Sequence, residues 1–162
     1  MALIYSAEEI VRIAVEIENN GNRFYREAAR LARSQPAVDL FKMLAEDEIK
    51  HRDYFESLSR QVPKAPLTEA YPGELELYLK ALADAAIFNQ QEGFKAITAA
   101  AFNEAEALEL AVGAEKDSIL YYHELLAFVP EDQKVYVRKI LEEERRHLTS
   151  LRAFAQTLSG QA

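Results

Sequence analysis

EDEIKH, residues 46–51, and EEERRH, residues 142–147, are the two stretches that decide the fold of this chain. Each contains a glutamate that is followed three residues later by a histidine. Residues three apart lie on the same side of a helix, so the carboxylate and the imidazole of each pair project together. Side chains placed in this way can bind one metal ion or bridge two. The two stretches therefore predict two helices that each present a metal-binding face.

A second repeat indicates two copies of one helical hairpin. The segment AVEIENNGNRFY, residues 14–25, recurs 97 residues later as AVGAEKDSILYY, residues 111–122, with Ala, Val, Glu and Tyr at matching positions. The Glu-x-x-His pairs recur at a shift of 96 residues. A repeat of this length means that one supersecondary unit is used twice. We expect the two copies to pack about a pseudo-twofold axis, which would bring matching residues together.

The composition favours a single helical domain. The chain has 162 residues, of which 49% are hydrophobic, and this is enough for a substantial core. It contains only 5 Gly and 5 Pro, whereas strong helix formers such as Ala, Leu and Glu are abundant. We therefore expect residues 1–162 to form one domain, with helical hairpins at 7–61 and 94–158.

Charge and residue content exclude several classes of function. The net charge is −8, and an acidic chain repels phosphate backbones, so no nucleic-acid partner is expected. The absence of cysteine excludes disulfides, thiolate catalysis and thiolate-bound metal sites. No apolar run approaches the ~20 residues of a membrane span, and the first residues do not resemble a signal peptide. We therefore expect a cytoplasmic protein with no membrane partner.

Apolar periodicity and helix-stop signals predict an all-α fold. Ser6 and Glu9 form a capping box before the first helix, and Pro36 suits the first turn of the second helix. The predicted helices are A (7–33), B (36–61), a short extra helix (74–88), C (from 94 or 98 to 128) and D (131–159), with breaks at 62–73 and 89–93. Two short turns and one long B–C crossover are typical of a ferritin-like four-helix bundle. We expect that fold, with the short extra helix in the crossover.

Two further glutamates complete a candidate metal site. Glu18 and Glu115 each stand alone on an otherwise apolar stripe, and a lone buried carboxylate costs several kcal/mol unless it is paired or bound to metal. With the Glu-x-x-His pairs they make six candidate ligands: Glu18, Glu48, His51, Glu115, Glu144 and His147. Two divalent cations would neutralise the carboxylates of such a site, and carboxylate and imidazole ligands without thiolate suit iron or manganese. A Glu from each of two helices and a Glu-x-x-His from each of the others is the ligand pattern of di-iron and di-manganese bundles.

The segments EIENNGNRFY, residues 16–25, and EKDSILYY, residues 115–122, together with the two Glu-x-x-His pairs, resemble the rubrerythrin family. The resemblance covers about residues 6–158. It implies a cofactor of two iron ions, with manganese or a mixed metal pair as alternatives. It also implies terminal ligands at Glu18 and Glu115, bridging ligands at Glu48 and Glu144, one capping histidine per metal at His51 and His147, and phenols that hydrogen-bond ligand carboxylates at Tyr25 and Tyr122.

Two features depart from the family pattern. Many rubrerythrins carry a rubredoxin domain with cysteines, and this chain has no cysteine, so the resemblance implies an external electron donor such as a rubredoxin-like protein. Peroxidase-type members have a further carboxylate on the third bundle helix, one turn past the first, where this chain has Ser118. Ser118 therefore weakens the analogy with the metal shift that accompanies peroxide reduction in that family.

The resemblance implies a non-haem di-iron oxidoreductase that reduces hydrogen peroxide in oxidative-stress defence and forms a homodimer. Dioxygen is the alternative oxidant. The same six residues would serve a ferroxidase or an iron-binding protein in iron homeostasis, and the sequence does not separate these functions. A third interpretation is a non-catalytic, structural bundle in which the carboxylates and histidines form buried ion pairs.

Other charged residues near the motifs are not expected to bind metal. Glu16, Glu46 and Glu142 lie on the far side of their helices from the candidate ligands, and we expect them to be solvated. We also expect His123 to be exposed. Glu104 is expected to be a surface or access-route charge rather than a ligand.

Overall fold

The computed structural model describes residues 6–64, 74–85 and 102–159. Within these ranges the chain forms five helices and no strand: α1 (Ala7–Leu31), α2 (Gln35–Ser59), α3 (Glu74–Ala85), α4 (Glu104–Leu125) and α5 (Lys134–Ser159). The prediction of an all-α fold is confirmed, and α3 is the extra helix of the long crossover. The predicted break at 89–93 lies outside the described residues.

The first helix begins where the capping box predicts. Ser6 Oγ accepts a hydrogen bond from the Glu9 amide at 3.2 Å, and the Glu9 carboxylate accepts one from the Ser6 amide at 2.7 Å. These bonds satisfy two amides at the helix start, where the first-turn amides have no partner within the helix. After a short turn, α2 begins with Pro36 in its first turn, as predicted.

The third bundle helix begins later than predicted. The sequence predicts a start at 94 or 98, but α4 begins at Glu104. Asn103 has an extended backbone, and its side chain accepts hydrogen bonds from two amides of the first helical turn at 2.9 and 3.4 Å. Asn103 is thus the N-cap of α4, a local interaction that apolar periodicity does not reveal.

The last helix also begins later than predicted, at Lys134 rather than near residue 131. The Pro130 carbonyl accepts hydrogen bonds from the amides of Gln133 and Lys134 at 2.9 and 3.2 Å. Residues 131–133 therefore form a turn before the helix.

The described bundle helices pack as two pairs. α1 packs along α2, and α4 packs along α5. Contacts between α1 and α4 join the hairpins, and α3 lies against α4. None of the described helices combines the length and the apolar character that crossing a membrane requires.

Buried apolar side chains form two clusters, one towards each end of the bundle. The first includes Ile10, Phe55, Tyr122 and Leu141, and the second includes Phe24, Leu44, Leu108 and Leu151. Along α1 and α5 the first cluster precedes the second, whereas along α2 and α4 the order is reversed. On each helix the charged motif lies between the two clusters. The fold therefore places a polar layer in the middle of an apolar bundle.

The Asn103 cap gives a test of the corrected start of α4. We expect Asn103→Ala to lower the free energy of unfolding by about 1 kcal/mol, since two helix amides lose their acceptor. Asn103→Asp keeps an acceptor oxygen and should retain the parent stability. Urea unfolding of the metal-free protein measures both variants. Equal stability of the alanine and parent proteins would contradict the cap.

Candidate metal centre

The polar layer contains all six of the residues that the sequence identifies as candidate ligands. They form two overlapping groups, and within each group one ligand atom per residue lies within 4.8 Å of the others. The groups are Glu18, Glu48, His51 and Glu144, and Glu48, Glu115, Glu144 and His147. They share the glutamates of both Glu-x-x-His pairs, whereas each has its own single glutamate and histidine. The geometry is suited to two adjacent cations that share two carboxylates.

Several polar atoms of this layer are buried without a hydrogen-bond partner in the described part of the chain. All six side chains are at most 4% exposed. Five of their atoms make no hydrogen bond to the described part of the chain: Glu18 Oε2, His51 Nδ1, Glu115 Oε2, Glu144 Oε1 and His147 Nδ1. His51 Nδ1 lies 2.9 Å from Glu144 Oε1, and His147 Nδ1 lies 3.3 Å from Glu144 Oε2, but neither contact has hydrogen-bond geometry.

These unpaired atoms provide a test of whether the residues fit a metal pair. Leaving a buried polar atom unpaired costs about 1–3 kcal/mol. Here the unpaired atoms are carboxylate oxygens and imidazole nitrogens, which are the donors that iron and manganese accept. They also fall within the two groups of potential ligands. The donor set therefore fits two metal ions.

Burial and mutual repulsion shift the pKa values across the layer. Burial raises the pKa of Glu48 well above its ordinary value, and the charge of Glu18 raises it further. Burial lowers the pKa of His51, but the nearby Glu144 and Glu18 carboxylates outweigh burial and raise it to about 12. His147 also has carboxylate neighbours that outweigh burial, and they raise its pKa to about 10. Protons thus offset part of the negative charge, and metal binding has to displace them.

Two buried phenols connect the hairpins across the layer. Tyr25 on α1 donates a hydrogen bond to Glu115 Oε1 on α4 at 2.5 Å, and Tyr122 on α4 donates one to Glu18 Oε1 on α1. The structure thus contains the phenol–carboxylate contacts that the family resemblance implies. Burial, and then the charge of the bonded carboxylate, raises the pKa of both phenols well above the ordinary value. Both side chains therefore remain protonated donors.

Sequence reasoning missed two acidic residues that contact the histidines. His51 Nε2 lies 2.8 Å from Glu143 Oε2, and His147 Nε2 lies 3.3 Å from Asp47 Oδ2. Each histidine therefore directs Nδ1 towards the candidate metal site and Nε2 towards a carboxylate of the other hairpin. Such partners fix the orientation of a metal-binding imidazole. The repeat carries the signal that could have found them, because Asp47 and Glu143 occupy matching positions, each just before a shared glutamate.

Gly21 makes room for one of the shared glutamates. A Cβ atom at this position would lie 2.9 Å from Glu48 Oε2 and 3.0 Å from Glu48 Cδ, closer than packed atoms normally approach. The matching position of the second hairpin holds Ser118, which is buried. The two halves of the layer are therefore not equivalent. The sequence analysis did not identify this contact between Gly21 and Glu48.

The remaining charged residues lie outside the layer. Glu16, Glu46, Glu142 and His123 are exposed, as predicted. Glu104 is half-buried and does not line the layer. It accepts hydrogen bonds from the amides of Arg33 and Ser34 at 2.6 and 3.0 Å, and so it ties the start of α4 to the α1–α2 turn.

A surface depression of about 380 Å³ reaches the histidine side of the layer. Its lining includes Asp47, Lys50, Glu143, Arg146 and His147. A larger depression of about 710 Å³ lies on the outer face of α1 and α2, and its lining includes none of the six candidate ligands. The smaller depression therefore brings solvent close to His147.

Comparisons with known proteins agree with this geometry. The rubrerythrin family matches residues 9–155 of the chain. A crystal structure from Thermotoga maritima, of a protein described as ferritin-like and diiron-carboxylate, is similar to this chain with a TM-score of 0.68 and 25% sequence identity. The similarity covers 94% of this chain and 95% of that protein, and it confirms the ferritin-like bundle. Comparison with functionally curated proteins gave no match.

The close approach at Gly21 predicts that metal binding and fold stability respond in opposite ways to an added methyl group. Gly21→Ala should lower metal affinity about tenfold or more, because the displaced Glu48 carboxylate no longer reaches its position. The metal-free variant should be at least as stable as the parent, since alanine favours a helix by about 1 kcal/mol over glycine. Ser118→Ala is the matched control and should bind metal normally. Chelator competition and thermal unfolding measure the two effects. Unchanged affinity in Gly21→Ala would contradict the assigned role of this contact.

The contacts of Asp47 and Glu143 with the histidines predict a second effect on metal affinity. Asp47→Ala and Glu143→Ala should each lower metal affinity about 10–100-fold, because one imidazole loses the group that orients it. Glu46→Ala and Glu142→Ala remove neighbouring exposed carboxylates and are the matched controls. Isothermal titration with ferrous ion under argon measures all four variants. If the two pairs of variants lose affinity equally, the effect comes from net charge rather than from histidine orientation.

Proposed function

The chain belongs to the rubrerythrin family, and on that premise we propose that it is a non-haem di-iron oxidoreductase that reduces hydrogen peroxide with electrons from an external donor. The observation that carries the proposal is the convergence of six buried ligand side chains on two adjacent sites. We assign Glu18 and Glu115 as terminal ligands and Glu48 and Glu144 as the ligands shared by both metals. His51 and His147 are assigned one to each metal.

Iron is the metal that the chemistry favours. The donors are oxygen and nitrogen without thiolate, which suits iron or manganese. Four carboxylates in a layer that is at most 4% exposed require positive charge, and two divalent ions supply it. The similar protein from Thermotoga maritima is described as diiron-carboxylate. Manganese or a mixed pair would accept the same ligands.

The residues around the ligands hold them in place. Asp47 and Glu143 orient the two histidines, and Tyr25 and Tyr122 each donate a hydrogen bond to a terminal glutamate. The apolar clusters on both sides keep bulk water from the layer, so charges within it interact strongly. When bound, the iron pair supplies the two electrons that, with two protons, convert hydrogen peroxide to two water molecules.

The limited access to the layer suits a small oxidant. The ligands are buried, and the depression beside His147 is a route by which solvent comes near that ligand. Hydrogen peroxide and dioxygen are small enough to use such a route.

The reductant has to be separate, because the chain has no cysteine with which to hold an iron–sulfur or rubredoxin-type centre. We assign this role to a rubredoxin-like protein acting on a cytoplasmic homodimer in oxidative-stress defence.

Ser118 favours a second candidate function. Peroxidase-type rubrerythrins have a carboxylate at this position, and here a buried serine occupies it. A ferroxidase or iron-binding protein in iron homeostasis would need the same six ligands without that carboxylate. Assembly separates the two functions, since storage needs a closed shell and a peroxidase works as a dimer. A purely structural bundle would rely on buried ion pairs such as His51 Nδ1 to Glu144 Oε1 at 2.9 Å, and it would leave five polar atoms of the layer without a hydrogen-bond partner in the described residues.

Anaerobic loading with ferrous ion tests the proposal. We expect two irons per chain and faster oxidation by hydrogen peroxide than by dioxygen, followed through the near-ultraviolet absorption of ferric iron. His51→Ala should lose iron, whereas His123→Ala, which changes an exposed histidine, should retain two. Equal rates with dioxygen, followed by further iron uptake, would favour the ferroxidase instead. Absence of bound iron would leave only the structural bundle.

A further inference from the structure

The depression on the outer face of α1 and α2 has no part in the proposed function. Its volume is about 710 Å³, within the range of roughly 300–1,000 Å³ that is typical of sites for small organic ligands. Ala29 and Ala45 are buried in its lining, and Val38 is half-buried there. Small side chains at the junction of two helices leave a flat apolar floor between them. We call this depression the α1–α2 groove.

A hydrogen bond between the helices sets the register of the two walls of the groove. Asn22 Nδ2 on α1 donates to the Ala45 carbonyl on α2 at 2.7 Å. Because α1 and α2 run antiparallel, Arg26 and Lys42 both lie about one turn from this bond, towards the same end of the groove. Ile49 lies about one turn from the bond in the opposite direction. The groove therefore has one basic end and one end that carries an apolar side chain.

The basic end holds positive charge that the described residues do not neutralise. Arg30, one turn beyond Arg26, pairs with the Glu27 carboxylate at 2.6 Å. By contrast, Arg26 and Lys42 form no ion pair with any described residue. They lie on different helices of a chain whose net charge is −8. A ligand that compensates both cations has to carry about two negative charges.

A phosphate monoester matches the basic end in charge and in shape. Its charge at pH 7 is about −1.5 to −2, which is close to the combined charge of Arg26 and Lys42. The guanidinium of an arginine presents paired N–H groups that fit two phosphate oxygens, and a lysine ammonium adds a point charge. A single carboxylate would compensate only one of the two cations. The basic end therefore favours a phosphate group.

The opposite end of the groove suits the uncharged part of such a ligand. Ile49 is 37% exposed and offers an apolar contact, and the Asn22 amide oxygen can accept a hydrogen bond. Glu46 lines the same end, where its carboxylate can accept hydrogen bonds from hydroxyl groups and would repel a phosphate. The charges of the groove therefore orient the ligand, with its phosphate towards Arg26 and its hydroxyl groups and ring towards Ile49.

We propose that the α1–α2 groove binds a phosphate monoester that carries hydroxyl groups and a flat ring. Nucleoside monophosphates and flavin mononucleotide share this chemistry and differ in the ring. The inference does not rest on the proposed function, because the lining of the groove includes none of the candidate metal ligands.

Isothermal titration of the full-length chain with adenosine monophosphate and with flavin mononucleotide tests the proposal. We expect one site per chain for at least one of the two, and the tighter of them identifies the ring that the groove prefers. Adenosine and riboflavin lack the phosphate, and inorganic phosphate lacks the ring and its hydroxyl groups. Each of these three probes should bind about tenfold or more weakly than the complete nucleotide, because each reaches only one end of the groove.

Variants of the lining locate the binding. Arg26→Gln and Lys42→Gln should each weaken nucleotide binding about tenfold or more. Lys116→Gln on α4 removes the same charge from an exposed position and is the matched control. Ile49→Ser should weaken binding of the nucleotide and leave that of inorganic phosphate unchanged. His51→Ala should bind the nucleotide as the parent does, since the groove and the metal layer are separate. Thermal unfolding confirms that each variant is folded.

Each contrary outcome overturns the inference in a recognisable way. Binding of neither nucleotide would overturn it directly. An equal loss in Lys116→Gln would show attraction by net charge rather than a site, and a loss in His51→Ala would place the phosphate on the metal. If the parent binds no nucleotide and Arg26→Gln sediments as a smaller assembly, the groove is an interface with a second copy of the chain. Failure to bind iron would overturn the proposed function and leave nucleotide binding unaffected.

Discussion

Burial of four carboxylates and two imidazoles between two apolar clusters is the constraint on which the rest of the structure depends. A bundle of this size could fill its centre with leucine and valine at lower cost, because buried charge is expensive unless it is compensated. Here the centre is acidic, and the apolar clusters fall on either side of it. The pKa values of the two histidines are raised, so protons on their imidazole rings offset part of the negative charge. Metal ions bound only by the native state would offset the rest and stabilise the fold.

Four contacts of the layer's tyrosines and histidines cross between the two hairpins. Tyr25 and Tyr122 each donate to the terminal glutamate of the other hairpin, and each histidine contacts an acidic residue of the other hairpin. A crossed pattern of this kind follows from a pseudo-twofold arrangement of two similar units. It also means that neither hairpin can assemble its half of the site alone. Formation of the site and docking of the hairpins are therefore one event, in which metal binding and folding are coupled.

The sequence predicted the bundle and the six candidate ligands because the repeat displays them. Glu18 and Glu115, the Glu-x-x-His pairs and the two tyrosines recur at a nearly constant shift, and helical periodicity turns that recurrence into a shared face. The roles of Asp47 and Glu143 were also visible in the repeat. They were missed because Asp47 and Glu143 each lie next to a ligand in sequence and so point away from the metal site on their own helix. The histidine that each of them contacts lies on another helix.

Other features depend on geometry that no single helix displays. The role of Gly21 depends on the distance between α1 and the Glu48 side chain. The start of α4 was predicted too early because apolar periodicity does not mark the backbone turn at Asn103. Glu104 was predicted to be a surface or access-route charge. Its carboxylate instead holds the α1–α2 turn, a contact between residues distant in sequence.

The most direct test of the central claim is the anomalous scattering of crystals loaded with ferrous ion, measured on both sides of the iron absorption edge. The account predicts two peaks in the polar layer. One should lie within bonding distance of Glu18 and His51, the other within bonding distance of Glu115 and His147, and Glu48 and Glu144 should contact both. A single peak, or peaks only at surface carboxylates, would contradict the assignment of the layer as a di-metal site.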